Sequence, residues 1–573
     1  MRLSDEQNVV IGRPLGALCV TACAGSGKTT TATHRLQQMR KLLGDRHGIV
    51  ALLSFSNIAV DTFRRDYYSL ARSQAGPIRK SAVEIDTVDG FLTTNVIRPH
   101  AHRTMQAPRT PFLVQGREPF LKGFTVFDGK RPHPTSDLRI TLDSGKFLYE
   151  AGPTFAKVDI AEVEGRKALE KLGKVGAYTH ASGRYWSIRT LKEQPFVLRA
   201  LSRRYPLILV DEAQDIAKEH QEILEMLVEA GSELSLIGDP NQGIYDFSGA
   251  NGQFLTTYRS RDGVTAMGLT TNFRSVGPIV NVANKLAGRT DGTDRKEVTT
   301  LHGAYFVPYK ENEKGKLLET FASMLASAEV SSADAIVLCR ATKSVEEWRG
   351  GEEEQGQGTL KAFVSATICR DKLHRYGDAF EFVCSGVVSL LADKHGQLLS
   401  DISRGHTDPG IKKLKRALWN FARDPVSGLP GGALIADAEW HTALLKRVKA
   451  LLADLSKTLG YEAAANLGQK LANKALRSKP LVSLPDLGSG NVAPIIRVST
   501  VHQVKGESID AVMYVADKKQ VRALLDGPAT ELGRIGYVAV TRARNLMVLG
   551  IPEQHVGEFE DELVECGFKK AGT

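Results

Sequence analysis

Three kinds of residue in this 573-residue chain could together hold and cleave a phosphoanhydride: a small-residue loop ending in lysine, two adjacent carboxylates, and two distant arginines. The loop reads Ala22-Cys23-Ala24-Gly25-Ser26-Gly27-Lys28-Thr29 and follows an apolar run at 18–21. Small residues let its backbone curl around phosphate oxygens and aim N–H groups inward, and the dipole of a following helix adds to the attraction. Lys28 then falls on the β- and γ-phosphates and the Thr29 hydroxyl on Mg2+. A glycine-rich turn can be structural only, and Ala22 stands where the usual pattern has its first glycine. The Lys-Thr pair in this setting nevertheless makes nucleotide binding the expectation.

Asp211 and Glu212 follow a second apolar run, at 207–210. Paired carboxylates at a strand end are often just a solvated loop. Coming after a phosphate loop, they are expected to serve as Mg2+ ligand (Asp211) and general base (Glu212). Charge that develops on a γ-phosphate calls for cations, and Arg274 and Arg542 are the candidates, although an arginine taken alone is by default a surface residue. Both arginines lie in a second lobe, Lys28 and Glu212 in a first. Hydrolysis would therefore need the cleft between them to close, and release would let it open.

The elements that must position these groups show in the apolar runs. Those at 18–21, 49–55, 207–210 and 234–237 each end in polar or glycine-rich residues and lead toward a helical pattern, the rhythm of a parallel sheet with crossover helices. The rhythm returns at 335–339, 495–499, 511–515 and 545–549. The expected architecture is α/β, with two parallel-sheet lobes and two inserted, mainly helical subdomains. The first lobe takes 1–97 and 204–262, the second 263–368 and 490–573. The insertions are 98–203, which mixes Pro/Gly turns, short extended runs and basic helices, and 369–489, whose apolar residues recur at three and four as in a packed bundle.

Composition bounds the rest. Six scattered cysteines show no paired spacing, so disulfide and metal frameworks are not expected and a reducing cytoplasm fits. Neither a secretory signal nor an apolar stretch of membrane-spanning length is visible, so no membrane partner is expected. The net charge is +10, and residues 98–200 hold 18 Lys/Arg against 10 Asp/Glu. Such a domain is a polyanion footprint or a solubility device, and charge alone divides the two about evenly. Its place inside a nucleotide-hydrolysing core favours the first.

In order and over nearly the whole of both lobes, the sequence resembles the UvrD/Rep group of superfamily 1 helicases. The blocks are Leu3 to Gln7, the loop to Thr29, Ser54 to Ala59, Thr87 to Phe91, Asp211 to Asp215, Gly238 to Tyr245, Asn272 to Ser275, Thr500 to Glu507 and Val540 to Ala543. The resemblance implies two RecA-like lobes (1A and 2A) with insertions 1B and 2B, and ATP- and Mg2+-dependent movement along single-stranded DNA, normally 3′ to 5′. Carried over by position, Gln7 would read the adenine edge, Phe273 stack on its face, Thr30 flank it, and Gln242 sense the γ-phosphate. Glu507 falls in a block that contacts nucleotide and strand. Phe55, Tyr245 and Phe247 would stack on bases, although core packing is the bland reading for any aromatic. Asn57, Thr87 and His502 would touch backbone or bases.

Departures from the family pattern are Thr30 for an arginine, Asp89 for a frequent histidine, Phe247-Ser248 for Trp-Arg, and Glu507-Ser508 for Leu-Glu. They leave the hydrolytic parts intact and bear on strand grip. The leading expectation is a single-stranded DNA translocase and helicase acting on single-stranded or tailed duplex DNA. The alternative is a DNA-stimulated ATPase serving as regulatory or sensor subunit to a partner nuclease, as in antiviral (anti-phage) systems. No added C-terminal partner-binding module is expected.

Overall fold

Each of the eight apolar runs carries a strand, that at 495–499 from Arg497 onward, and the strands divide between two six-stranded sheets with every neighbouring pair parallel. The structure is a computed structural model that describes residues 3–73, 83–116, 118–152, 157–246, 249–296, 301–348, 355–372, 375–392, 398–403, 408–482 and 496–571. In the first sheet the spatial order is Thr265–Leu269, Leu18–Ala22, Glu233–Gly238, Leu207–Val210, Val50–Ser54, Val83–Thr87. In the second it is Arg497–Thr500, Ala335–Cys339, Ile509–Val515, Ala543–Pro552, Gly303–Tyr309, Lys569–Lys570.

The central strands are apolar throughout because helices cover both faces. In the first sheet Leu52, Leu209 and Ile237 pack on one side with Leu36 and Phe63. Ala51, Leu53, Ile208 and Val210 pack on the other with Ile223 and Leu255, the two-residue alternation of a pleated strand. This is the α/β, RecA-like arrangement expected for each lobe.

Three details differ from expectation. Thr265–Leu269 lies beyond the boundary set at residue 262, yet it pairs with Leu18–Ala22 and so completes the first sheet. Its exposure alternates along an edge, which hides it from a search for continuous apolar runs. The first insertion is mixed, with strands beside its helices, which include Pro195–Arg204. Alongside Glu162–Lys174 and His180–Glu193 it builds a three-stranded antiparallel sheet from Arg139–Asp143, Lys146–Ala151 and Val158–Ile160. The second insertion is helical, but its core already includes Leu360, Phe363 and Val364 from helix Thr359–Asp371, upstream of the boundary at 369. Among the described residues no helix is long and apolar enough to cross a membrane.

Candidate functional site

Parallel strands bring their carboxyl ends to one edge, where ligands of open α/β sheets bind. The loop after Leu18–Ala22, Phe55 after Val50–Ser54, Asp211 and Glu212 after Leu207–Val210, and Gln242 after Glu233–Gly238 all emerge there. The second lobe faces that edge. Between them lies one cleft of about 710 Å³, lined by Gly25, Ser26, Gly27, Lys28, Thr29, Asp211, Glu212, Gln242, Arg274, Glu507 and Arg542, and continuing to Phe55, Tyr245 and His502.

The loop is held tightly. Gly25 has φ +71, and a Cβ there would come within 2.5 Å of the Arg274 Cβ and 2.7 Å of Asn272 Oδ1. Only glycine lets the loop pass this close to the second-lobe arginine segment. Gly27 caps helix Lys28–Leu43 with φ +75, and a Cβ on it would lie 2.6 Å from Gln7 Nε2. Gln7 is itself buried. Its Oε1 accepts from the Ser4 N–H at 2.9 Å and its Nε2 donates to the Ser26 carbonyl at 3.1 Å. Ala24 is buried beneath the loop. The Phe273 N–H donates to the Gly25 carbonyl at 2.9 Å. Gln7, Thr30 and Phe273 thus adjoin the loop without lining the cleft.

Asp211 is 1% exposed and its Oδ1 has no hydrogen-bond partner. Burial first, and Glu212 next, push its carboxyl above the usual range. Burial would push Glu212 up as well, but Lys28, with Nζ 3.8 Å from Oε2, and then Lys505 hold it low. Glu212 sits at φ +54, a left-handed backbone seldom adopted by non-glycine residues and a form of strain concentrated at functional sites. Gln214 donates from Nε2 to the Glu212 carboxylate, and its Oε1 accepts from the Asp239 N–H at 3.0 Å.

The two arginines are the counterpart. Arg274 donates to the Thr541 carbonyl at 2.9 Å. Arg542, 2% exposed, donates to Gln242 Oε1 at 2.8 Å and to the Glu507 carbonyl at 3.2 Å. These acceptors are neutral, and neither guanidinium has an ion-pair partner among the described residues. Burial, with Arg542 beside it, pushes Arg274 down to about 9, and burial likewise lowers Arg542. Buried cations without an anion face a buried carboxylate without a cation.

Of the residues expected to touch a strand, Phe55, Tyr245 and His502 line the cleft, and His502 Nε2 lies 3.0 Å from the Ile244 carbonyl oxygen. Asn57 and Thr87 do not line it. Asn57 begins an exposed helical turn, and the Thr87 hydroxyl caps Val88–Leu92 by accepting from the Gly90 N–H at 3.0 Å. Phe247 and Ser248 lie outside the described residues. The Glu507 carboxylate pairs with Arg497.

Sequence reasoning assigned no role to Lys505 and Asp215. Lys505 Nζ reaches both Asp215 oxygens at 2.6 Å and stands 4.7 Å from the Tyr245 ring centre, an ion pair between the lobes midway along the cleft. Both residues lie in recognisable blocks, but their pairing across 290 positions leaves no local trace. Ile58, Arg184 and His220 also line the cleft and were not anticipated.

Two facing parallel sheets with a phosphate loop at the seam define a P-loop protein of two RecA-like lobes. Residues 178–261 match the UvrD/REP helicase N-terminal domain family. YjcD of Bacillus subtilis is 29% identical over 332 residues, 55% of this chain and 43% of YjcD. ATP-dependent DNA helicase UvrD2 of Mycobacterium tuberculosis is 24% identical over 584 aligned residues, 95% of this chain and 77% of UvrD2. RexA, an exonuclease/helicase subunit of Lactococcus lactis, is 32% identical over 123 residues, 21% of this chain and 10% of RexA. This chain thus spans less than half the length of YjcD. The chain is similar to UvrD/Rep-like helicases, in their N-terminal domain by family match and over most of its own length by likeness to UvrD2.

Proposed function

We propose that this chain hydrolyses ATP between its two lobes and uses the cycle to move along single-stranded DNA, in the 3′ to 5′ direction, as a translocase and helicase. The observation that carries this reading is the set of charged groups gathered in the cleft, Lys28, Arg274 and Arg542 beside Asp211 and Glu212. Arg274, Arg542 and Lys28 offer cations to a triphosphate, while Asp211 offers an unpartnered carboxylate oxygen to a metal ion. Asp211 and the Thr29 hydroxyl would hold Mg2+. An ion so held would take its remaining oxygens from nucleotide and water. When bound, Mg2+ would neutralise charge on the β- and γ-phosphates.

The protein's own groups have distinct parts. Glu212 orients and deprotonates the attacking water. Lys28 and Arg274 steady the γ-phosphate, and Arg542 does so while reporting through Gln242. Gln7 reads the adenine edge, Thr30 flanks the base, Phe273 stacks on it, and Glu507 meets nucleotide and strand. Phe55, Tyr245 and Phe247 stack on bases in a sequence-tolerant way, with His502 on backbone or bases.

The test is an ATPase titration with single-stranded DNA, duplex DNA and RNA, run beside unwinding of a 3′-tailed duplex. Strong stimulation by single-stranded DNA is expected. Equal rates with and without DNA would reject the reading. A second reading, a DNA-stimulated regulatory subunit beside a nuclease, is favoured by Thr30, Phe247-Ser248 and Glu507-Ser508, and by the Glu507 carboxylate being engaged by Arg497. Vigorous unwinding by the purified chain counts against it.

A further inference from the structure

Behind Arg542 a chain of hydrogen bonds runs to a buried carboxylate, and the second lobe sets another cation against it. Asp239 is fully buried just after Glu233–Gly238. Its Oδ2 accepts from Gln242 Nε2 at 2.8 Å and its Oδ1 from the Asn241 N–H at 3.1 Å. Gln242 thereby keeps its Oε1 for Arg542, which donates to it at 2.8 Å. The two ends force this order, since a carboxylate can only accept and a guanidinium can only donate.

The further cation is Arg289. It follows helix Gly277–Ala287, whose Ile279, Val282 and Leu286 pack in the core of the second lobe. Gly288 ends that helix with φ +59. The Arg289 N–H donates to the Asn284 carbonyl at 2.9 Å, and Asn284 Nδ2 donates to the Asp291 carbonyl at 2.9 Å. The Asp291 carboxylate takes the guanidinium at 2.6 and 3.0 Å. In this frame Arg289 Nη1 faces Asp239 Oδ1 across the seam at 4.0 Å.

We infer that Arg289 is a positioning residue for hydrolysis: its charge holds Asp239 as the acceptor in this chain, and so fixes which end of the Gln242 amide meets Arg542. A protonated Asp239 would donate to Gln242 Oε1, turn the amide over and set its NH2 against the Arg542 guanidinium, donor facing donor. Burial pushes the Asp239 carboxyl up, while Lys28 and then Arg289 draw it back. The other titratable neighbours stay protonated, because burial raises the Cys23 thiol to about 12 and the Tyr537 hydroxyl well above its usual range. Arg289 belongs to the second lobe and Asp239 to the first, so the restraint is complete only when the lobes meet. This inference rests on the ATP-hydrolysis reading above.

The pH dependence of kcat tests it, with ATP and a single-stranded oligonucleotide at saturation. An opposite charge at this range lowers a carboxyl by about 1–3 units, and Asp291 offsets part of that. Arg289→Gln, which can still donate to Asp291, and Arg289→Met should both move the acid limb of kcat to higher pH by about one unit. At alkaline pH both should return to near the unmodified rate. Arg289→Lys should keep the unmodified profile throughout. An unmoved acid limb in the two uncharged variants, or a loss equal at every pH, overturns the inference and leaves the function proposed above standing. Absence of ATP hydrolysis by the unmodified chain overturns that function and the inference with it.

Discussion

The two ends of the cleft are built on opposite terms. At the nucleotide end the polar groups are buried and hold one another. Arg542 bonds to Gln242, Gln242 bonds to Asp239 at 2.8 Å, and Gln214 ties Asp239 to Glu212. At the strand end, apart from the buried His220, the lining is half-exposed or exposed, with Phe55 and Ile58 apolar and Arg184 outside any ion pair among the described residues. Stabilising one charge distribution rewards groups fixed in advance in a dry site. Holding a polymer that must slide rewards contacts that any base or phosphate can make. Lys505 and Asp215 stand where the two regimes meet, and they belong to different lobes.

Arg542→Ala should separate the ends most sharply. An arginine that stabilises a phosphoryl-transfer transition state is worth about 10³–10⁵ in turnover, so ATPase activity should drop by at least about a thousandfold. Affinity for single-stranded DNA without nucleotide should hold. Equal losses in both assays would show that the ends are one unit.

Next in size is the junction. Removing one member of a buried ion pair costs about 3–5 kcal/mol, because the other charge is left stranded. Lys505→Met should therefore lower unfolding free energy by about that much, and Lys505→Met with Asp215→Leu should recover most of it. Asp215 also gives a pH signature. Burial pushes its carboxyl from 3.8 up to about 6, against the pull of Lys505. A raised folded-state pKa means that the folded form binds the proton more tightly. Its contribution to stability is therefore complete at low pH, falls as pH rises from 3.8 to about 6, and is level above that. Asp215→Asn should erase this slope in thermal melts recorded across the window.

At the strand end, Phe55→Ala should cost about 1–3 kcal/mol in single-stranded DNA affinity, the usual worth of one base–aromatic stack. The salt dependence should stay as it was, since no charge is lost. A changed salt slope would mean that the ring positions a cation instead of meeting a base.

The same contrast explains what could be read from the chain. The nucleotide end is spelled in contiguous blocks, because a phosphate must be met by neighbouring backbone N–H groups, so Gly25 to Thr29 carry their chemistry in their order. Central strands such as Leu207–Val210 announce themselves by being apolar on both faces. Edge strands Val83–Thr87 and Thr265–Leu269 do not, since their outer positions meet water. The strand end is assembled from pieces far apart. Ile58 lies in a recognisable block, Ser54 to Ala59, but no role was assigned to it, nor to Arg184 or His220. Only packing puts them on one wall. Thr87, by contrast, is a good N-cap residue, and a helix start uses its hydroxyl.

The smallest expected effect probes how far the rigid end extends. Ser4 begins the first helix with a capping box. Its hydroxyl accepts from the Gln7 N–H at 3.2 Å, and its own N–H donates to Gln7 Oε1. The amide at the other end of Gln7 donates to the Ser26 carbonyl in the phosphate loop. Ser4→Ala removes the cap at a cost of about 1 kcal/mol and frees the Gln7 backbone that aims this side chain. If the loop depends on that brace, KM for ATP should rise about fivefold, as about 1 kcal/mol lost from the loop's preorganisation requires, with kcat and strand affinity held. A fall in thermal stability with no change in KM would confine the capping box to the helix and place the rigid end's outer limit at Gly27.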